Sequence, residues 1–395
     1  MSDELDNIPW HLIGHAYGYA TDTPAHLRNL TSPDPAVAEA AHWTLSTTIV
    51  HQEWVSDAAI AAFPYLLHLL LTSSGRTRSY VFVLVQEILE GIVPPIPALN
   101  RYHVWDHLVD DDDDEWENDD ESDEATSDQG WDVDQAEALV YPLALAALPS
   151  IMPWLHDADP DLVHITLLIV ACCLAKDGTH WSSIQLYADA ESRSTFRAAY
   201  PYLAWCSGHP AALAWVDETA THAADPLVRF TATSVLARWA TSMPDVRYQW
   251  FIETILGHDA AFIAAYRRVP MTNHYWLDCG SVLYARSFAE RAPVAAAWLA
   301  SLRAEMRPLW DDDYLALLIL AFGVVRYVPT LERMDLHDQV MRWMAHKAFA
   351  TEKGEDYLPL RILRDFGLPW RAAAINGFLG LPNAEHAGFA EHTNA

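Results

Sequence analysis

Asp159-Pro160-Asp161-Leu162 opens the stretch DPDLVHITLLIVACCLAK (residues 159–176), and the same kind of start occurs twice more in the chain. The other copies are Asp34-Pro35-Ala36-Val37 and Asp225-Pro226-Leu227-Val228. Aspartate here accepts hydrogen bonds from the unpaired N–H groups of a first helical turn, and proline suits the first helical position because its missing N–H would have no partner there. Each copy therefore predicts a helix start, and their recurrence predicts an internal repeat.

The residues after these starts are apolar at helical spacing. Val228, Ala232, Val235 and Trp239 form one stripe in the third copy, whereas the second copy is apolar nearly all round from Leu162 to Leu174. A helix of the second kind is buried between neighbouring helices.

A second signature places proline after two alanines and an apolar residue. It occurs at residues 61–66, 146–151 and 198–203. Proline removes a backbone donor and crowds the preceding turn, so each copy is expected to start or kink a helix. The middle copy predicts one full unit, with a first helix near Pro149 to His156 and a second helix from Pro160 to Lys176 that Gly178 stops.

These motifs resemble the HEAT repeat. The resemblance is carried by Leu27-x-x-Leu30 with Asp34-Pro35-x-Val37 and Ala41, by Trp154-Leu155 before Asp159-Pro160, and by Val228-Arg229. It covers roughly residues 10–240, and Ala38 and Val163 depart from it where arginine would fall. The resemblance implies an all-α fold, an α-solenoid of antiparallel helix pairs. Beyond it the pattern predicts three helices, at Asp245 to Gly257, Asp313 to Val325 and Leu336 to Ala350.

The spacing of the copies exceeds that of HEAT units, in part because of an acidic insertion. Residues 106–134 hold 12 Asp and 4 Glu with no Lys or Arg, and a like-charge block of this length is expected to be disordered. The predicted organisation is therefore N-terminal repeats over 1–105, an acidic insert over 106–134, central repeats over 135–245 and degenerate helical repeats over 246–395.

The charge balance bears on the partners. The 395 residues include 54 Asp plus Glu against 24 Lys plus Arg, a formal charge of −30, and removing the insert still leaves 38 acids against 24 bases. Nucleic-acid binding relies on cations at phosphates, and anionic headgroups repel an acidic surface, so neither nucleic acid nor membrane is an expected partner. A basic protein is the expected partner, with this chain a monomer or part of a 1:1 complex.

Localisation is expected to be cytoplasmic. Residues 1–10 lack the pattern of a signal peptide, and the apolar run Ile165 to Ala175 is shorter than the roughly 20 residues of a membrane span. The four cysteines show no CxxC pattern, which predicts reduced, buried thiols.

Catalytic motifs, cofactor sites and metal sites are not predicted. The chain has no Gly-x-Ser-x-Gly, phosphate-binding glycine loop or His-Glu-x-x-His motif. His11 and His15, with His26 nearby, have a spacing that can hold zinc, but packing histidines are the preferred interpretation. The run Asp110 to Asp114 lacks the arrangement of a Ca²⁺ loop.

Tryptophans are unusually frequent, with 17 in the chain. Those at helix-core spacing are predicted to pack inside: Trp43, Trp154, Trp205, Trp215, Trp239 and Trp250. An aromatic residue among carboxylates instead suits docking onto a basic, partly apolar surface, and a solubilising spacer is the alternative. Partner-binding residues are predicted in three places: the insert, the loop between the first repeat helices and an acidic motif that begins with Trp310. The acids of that last motif have an alternative role as caps of the next helix, for which Asp313 is well placed. The predicted partner-binding residues are Asp110, Asp111, Asp112, Asp113, Asp114, Glu115, Trp116, Glu117, Trp131, His51, Gln52, Trp54, Trp310, Asp311 and Asp312.

The function that the resemblance implies is protein binding, because bacterial HEAT-repeat proteins include immunity-type inhibitors of secreted toxins. An acidic inhibitor suits a cationic toxin, since complementary charge raises the association rate. Two alternatives stay open, a scaffold or assembly factor and an enzyme of the HEAT-like DNA glycosylase or lyase type. The net charge disfavours the glycosylase.

Overall fold

The computed structural model describes residues 5–51, 54–92, 133–239, 243–257, 260–272, 275–283, 286–304, 311–323, 334–349, 357–369 and 371–379. About 80% of the described residues are helical. Their strands form two hairpins of two-residue strands, Gly14–His15 with Gly18–Tyr19 (β1, β2) and Val50–His51 with Trp54–Val55 (β3, β4). The predicted all-α fold is confirmed for this part of the chain.

The described residues divide into two compact units, 5–92 with 133–218 and 219–379. The helices of the first unit, the last of which runs into the second, are α1 Thr23–Asn29, α2 Pro35–Thr48, α3 Asp57–Thr72, α4 Gly75–Ile92, α5 Val133–Ile151, α6 Pro160–Lys176, α7 Trp181–Ala190, α8 Ser194–Arg197, α9 Tyr200–Ser207 and α10 Pro210–His222. Those of the second unit are α11 Pro226–Trp239, α12 Asp245–Gly257, α13 Ala260–Tyr266, α14 Tyr275–Leu283, α15 Phe288–Ala304, α16 Asp311–Phe322, α17 Asp335–Phe349, α18 Tyr357–Asp365 and α19 Ala372–Leu379.

All three Asp-Pro motifs start helices, as predicted. The side chain of Asp34 accepts a hydrogen bond from the Ala36 N–H at 2.9 Å, and Asp159 does the same for Asp161 at 3.0 Å. Asp225 accepts from Leu227 at 2.8 Å. Each cap stabilises its helix by about 1 kcal/mol.

The proline signature behaves differently in its three copies. Pro201 lies in the first turn of α9, but Pro64 and Pro149 lie inside α3 and α5. The predicted start of a helix near Pro149 is therefore wrong, because α5 begins at Val133 and is followed by a 3-10 turn, Met152–His156. Both internal prolines are exposed, and each removes the usual N–H donor of the carbonyl group four residues earlier.

Helix α6 forms the centre of the first unit. Nearly every side chain from Leu162 to Leu174 is buried, and α6 packs against α4, α5 and α9. This confirms the expectation that an all-round apolar helix lies between neighbours. The helix ends at Lys176 as predicted, and its Cys172 and Cys173 thiols are reduced and buried.

Helix α16 has the same place in the second unit. Its side chains from Tyr314 to Phe322 are buried, and it packs against α14, α15, α17 and α18. The three helices predicted for the C-terminal third of the chain are present. Helix α12 has its predicted bounds, and the ends of α16 and α17 differ from the predicted ones by at most three residues.

Candidate binding surfaces

The acidic insert supplied most of the predicted partner-binding residues, and these lie outside the described residues. They are Asp110 to Glu117 and Trp131, together with Trp310 and Gln52 from the other two motifs. Only Val133 and Asp134 of the predicted insert are described, and both belong to α5.

The predicted loop around His51 and Trp54 is a hairpin. The backbones of these two residues pair antiparallel, between α2 and α3. The hairpin packs against α2 and α4, so this connection has regular structure where a loop was predicted.

For the acidic motif at residues 310–312, the structure describes the backbone positions of Asp311 and Asp312. Asp311 and Asp312 are the first two residues of the helix. Asp313 is the third residue and is fully buried, and its carbonyl accepts a hydrogen bond from the Trp298 indole at 3.1 Å. It therefore occupies the first turn and packs inside, so Asp313 is not the residue that precedes and caps the helix.

The tryptophans predicted for the core have different surroundings. Trp215 is buried, whereas Trp154, Trp205 and Trp250 are half-buried. Trp43 contradicts the prediction, because 70% of its surface is exposed. The reason is its phase on α2, where Ala41 and Leu45 point inward and a residue two positions from each points about 200° away.

Trp43 thus stands on the outer face of α2. Ala36, Glu39 and Ala40 are exposed on the same face, with Glu39 one helical turn before Trp43, and Thr47 is half-buried there. An exposed tryptophan beside small side chains and a carboxylate is the composition of an interface anchor. The alternation of Trp43 with Ala41 and Leu45 was the sequence signal that could have revealed it.

Helix α5 presents a second apolar outer surface. Ala138–His156 is long and apolar enough to cross a membrane by length and composition, and 28% of it is buried. A core helix passes the same test, and the buried residues Val140, Ala144, Ala147 and Ile151 do follow helical spacing toward the core. This stretch is longer than the run Ile165 to Ala175, on which the prediction from the sequence rested.

A cluster of titratable side chains at Glu191 joins two parts of the first unit. The buried Glu191 carboxylate accepts hydrogen bonds from the Arg193 guanidinium at 2.8 and 3.0 Å, and Arg193 also donates to the carbonyls of Leu155 and Asp157. Burial by itself raises the pKa of Glu191, but the hydrogen bonds and charge of Arg193 outweigh it and leave the pKa lowered. Arg193 therefore fastens the loop after α7 to the turn after α5.

Other arginines are also engaged within the protein. Arg238 pairs with Asp278 at 2.7 Å in the interior of the second unit, and Arg286 pairs with Asp245 at 2.9 Å. Arg28 pairs with Asp6. These pairs place cationic groups against the protein's own carboxylates, while acids such as Glu39 and Asp217 are exposed.

The histidines considered for zinc do not share one helix. His11 lies in a 3-10 turn, His15 lies in β1, and His26 lies in α1. His15 contacts Asp22 at 3.3 Å, and His26 lies 3.7 Å from the other oxygen of that carboxylate. The part of the chain that the structure describes contains no group of three or more His, Cys, Asp or Glu side chains arranged to hold a metal ion.

No model of a known protein family matches this chain, and no curated protein matches its sequence.

Proposed function

We propose that this chain is a non-catalytic, protein-binding α-solenoid that captures a basic protein, as an immunity-type inhibitor captures a toxin. The observation that carries the proposal is the exposure of Trp43 on a helix face that also exposes Glu39, in a chain of net charge −30. Long-range attraction brings a cationic partner to such a surface, and an exposed aromatic side chain supplies apolar area to bury on contact.

The packing of helices that are close in sequence supports the solenoid part of the proposal. In the first unit α3 contacts α4 and α5, and α4 contacts α6. In the second, α14 contacts α15 and α16 contacts α17. Contacts between near neighbours in the chain are what stacked helical repeats produce.

The direct test uses the proteins encoded beside this gene. Each neighbouring reading frame is expressed with and without this chain, and the purified products are mixed with it. A basic product that arrests growth, and that co-expression of this chain neutralises in a 1:1 complex, is the expected result. If the product that binds is acidic or harmless, the inhibitor proposal is wrong.

Electrostatic steering predicts a specific salt dependence for that complex. The association rate should fall steeply as salt rises, because the screening length is about 8 Å at physiological ionic strength, whereas the dissociation rate should change much less. Deleting Asp110 to Asp128 should slow association, and the affinity should fall strongly only if Trp116 also anchors. Stopped-flow kinetics of the deletion beside Trp116→Ala separates the two effects, and wild-type rates for both variants would make the insert a spacer.

Trp43→Ala should weaken the complex by about 2 kcal/mol, or roughly 30-fold in Kd, because an interface tryptophan commonly carries that much binding energy. The unfolding free energy should stay nearly constant, since the side chain is 70% exposed. Val246→Ala removes a side chain that is 74% exposed in the second unit and serves as the control. Calorimetric titration measures the affinities, and equal Kd values for wild type and Trp43→Ala would remove α2 from the interface.

A further inference from the structure

The outer face of α5 contains no charged side chain from Ala138 onward. Residues 138–155 contain no charged side chain, although 20% of the chain is Asp, Glu, Lys or Arg. Five of the exposed residues recur at intervals of three and four, namely Leu139, Pro142, Ala146 and Pro149 in α5 and Pro153 in the 3-10 turn that follows it; Ala138 and Ser150 are exposed beside them. We call these five residues the α5 face. Alternating intervals of three and four align side chains along one side of a helix, which is the pattern that a second helix packs against.

The opposite side of α5 is already occupied. It packs against α3, α4 and α6. Packing against these helices explains why the inward residues of α5 are apolar, but it does not explain why the residues of the α5 face are apolar. An apolar outer face in a strongly charged chain marks an interaction surface.

Prolines add hydrogen-bond acceptors to the same surface. Pro142 and Pro149 lie inside α5 and have no N–H. The carbonyls of Ala138 and Leu145, four residues earlier, therefore lose their usual helical donors. A carbonyl that lacks its helical donor can accept a hydrogen bond from a side chain of a bound segment.

Acidic residues border the surface at both ends along the chain. Asp134 and Glu137 precede it in the first turns of α5, and Asp157, Asp159 and Asp161 follow it. Asp159 and Asp161 are exposed beyond the turn that continues α5. The surface thus has an apolar middle about 20 Å long, at 1.5 Å per residue, between two acidic borders.

We propose that the α5 face binds an amphipathic helical segment of a partner protein, one with an apolar stripe and with lysine or arginine at both ends. This rests on the proposed function and names the surface and partner segment for it. The apolar stripe covers Leu139 and Ala146, and the cationic ends meet the acidic borders. A second copy of this chain would bring like-charged borders together, and anionic headgroups would meet the same acids, so charge favours a basic protein segment over both.

The test uses the full-length chain and two synthetic peptides of about 20 residues, each with leucines at heptad a and d positions. One peptide has lysines at both ends and the other has glutamates. Fluorescence anisotropy should show the lysine peptide binding at least about tenfold more tightly, because matched charge adds to affinity and like charge opposes it. Equal binding of both peptides, or no binding, would overturn the proposal.

Ala146→Arg is the variant that tests the location. Ala146 is exposed and arginine favours helices, so the fold should be retained, whereas the new cation should weaken the lysine peptide at least about tenfold. Ala264→Arg makes the same change at an exposed helical alanine of the second unit and should leave binding unchanged. Equal weakening by both variants would show that net charge, and not the α5 face, governs peptide binding.

Other occupants give distinct results. Self-association of the wild-type chain that Ala146→Arg abolishes in sedimentation would assign the face to a second copy. Binding to phosphatidylcholine vesicles that Ala146→Arg abolishes would assign it to a membrane. If the natural partner binds Ala146→Arg as tightly as wild type, the α5 face is not its site, and the proposed protein-binding function still stands on Trp43.

Discussion

Gly178→Ala should lower the free energy of unfolding by about 3 kcal/mol, because overpacking against a fixed backbone costs roughly that much. A Cβ atom at this position would lie 2.1 Å from the carbonyl oxygen of Ser207, where ordinary contacts are 3.4–4 Å. Ser207 is the last residue of α9, and Gly178 follows the end of α6, the central helix of the first unit. The clash is therefore between two backbones whose helices pack together, and neither is free to move aside.

Urea unfolding followed by circular dichroism measures the effect, with Gly257→Ala as the control. A Cβ atom at Gly257 meets nothing within 4 Å, so alanine there should be neutral or stabilise by up to about 1 kcal/mol. Equal midpoints for Gly178→Ala and wild type would show that Gly178 and Ser207 do not approach each other this closely.

Asp278→Ala should destabilise the second unit by about 3–5 kcal/mol, because it leaves a buried cation without its counter-charge. The Asp278 carboxylate accepts hydrogen bonds from the Arg238 guanidinium at 2.7 Å and from the Tyr266 hydroxyl at 2.6 Å. The side chains of Asp278 and Arg238 are 2% and 8% exposed. Water therefore replaces the lost carboxylate poorly, and both donors lose a strong acceptor.

Combining Arg238→Met with Asp278→Ala should cost less than the sum of the two single changes, since the double variant buries no unpaired charge. Asp245→Ala is the comparison, because Asp245 pairs with Arg286 but is 86% exposed. It should cost less than about 1 kcal/mol. Strict additivity of the Arg238 and Asp278 changes in urea unfolding would contradict a buried, coupled pair.

The sequence predicted helix starts well because the chemistry of a start is local. Asp34, Asp159 and Asp225 cap helices through N–H groups two residues away, so no distant residue decides the outcome. Gly178 shows the limit of local reasoning. It was interpreted as the residue that stops α6, but it is not among the glycines with positive φ. The side chain of Asp177 instead caps the following turn through the Thr179 N–H, and Gly178 is required by its approach to Ser207, 29 positions further along the chain.

Surface features were harder to predict than helices. Trp43 was predicted to lie in the core because tryptophan is usually buried. Ala41 and Leu45 face inward on α2, however, and a residue two positions from both of them must face outward. The stretch from Ala138 was divided at Pro149, because proline was expected to begin a helix. An exposed proline costs a helix less than a buried one, and exposure depends on tertiary packing that the sequence does not display.

The contact between α4 and α5 has a consequence for the order in which the first unit is completed. Residues 5–92 and 133–218 form one compact unit, in which α4 and α5 pack against each other. Contacts between residues this far apart in the chain raise the contact order, and folding slows as contact order rises. During synthesis, the helices before residue 93 should therefore gain their final packing only after residues 133–218 have been made.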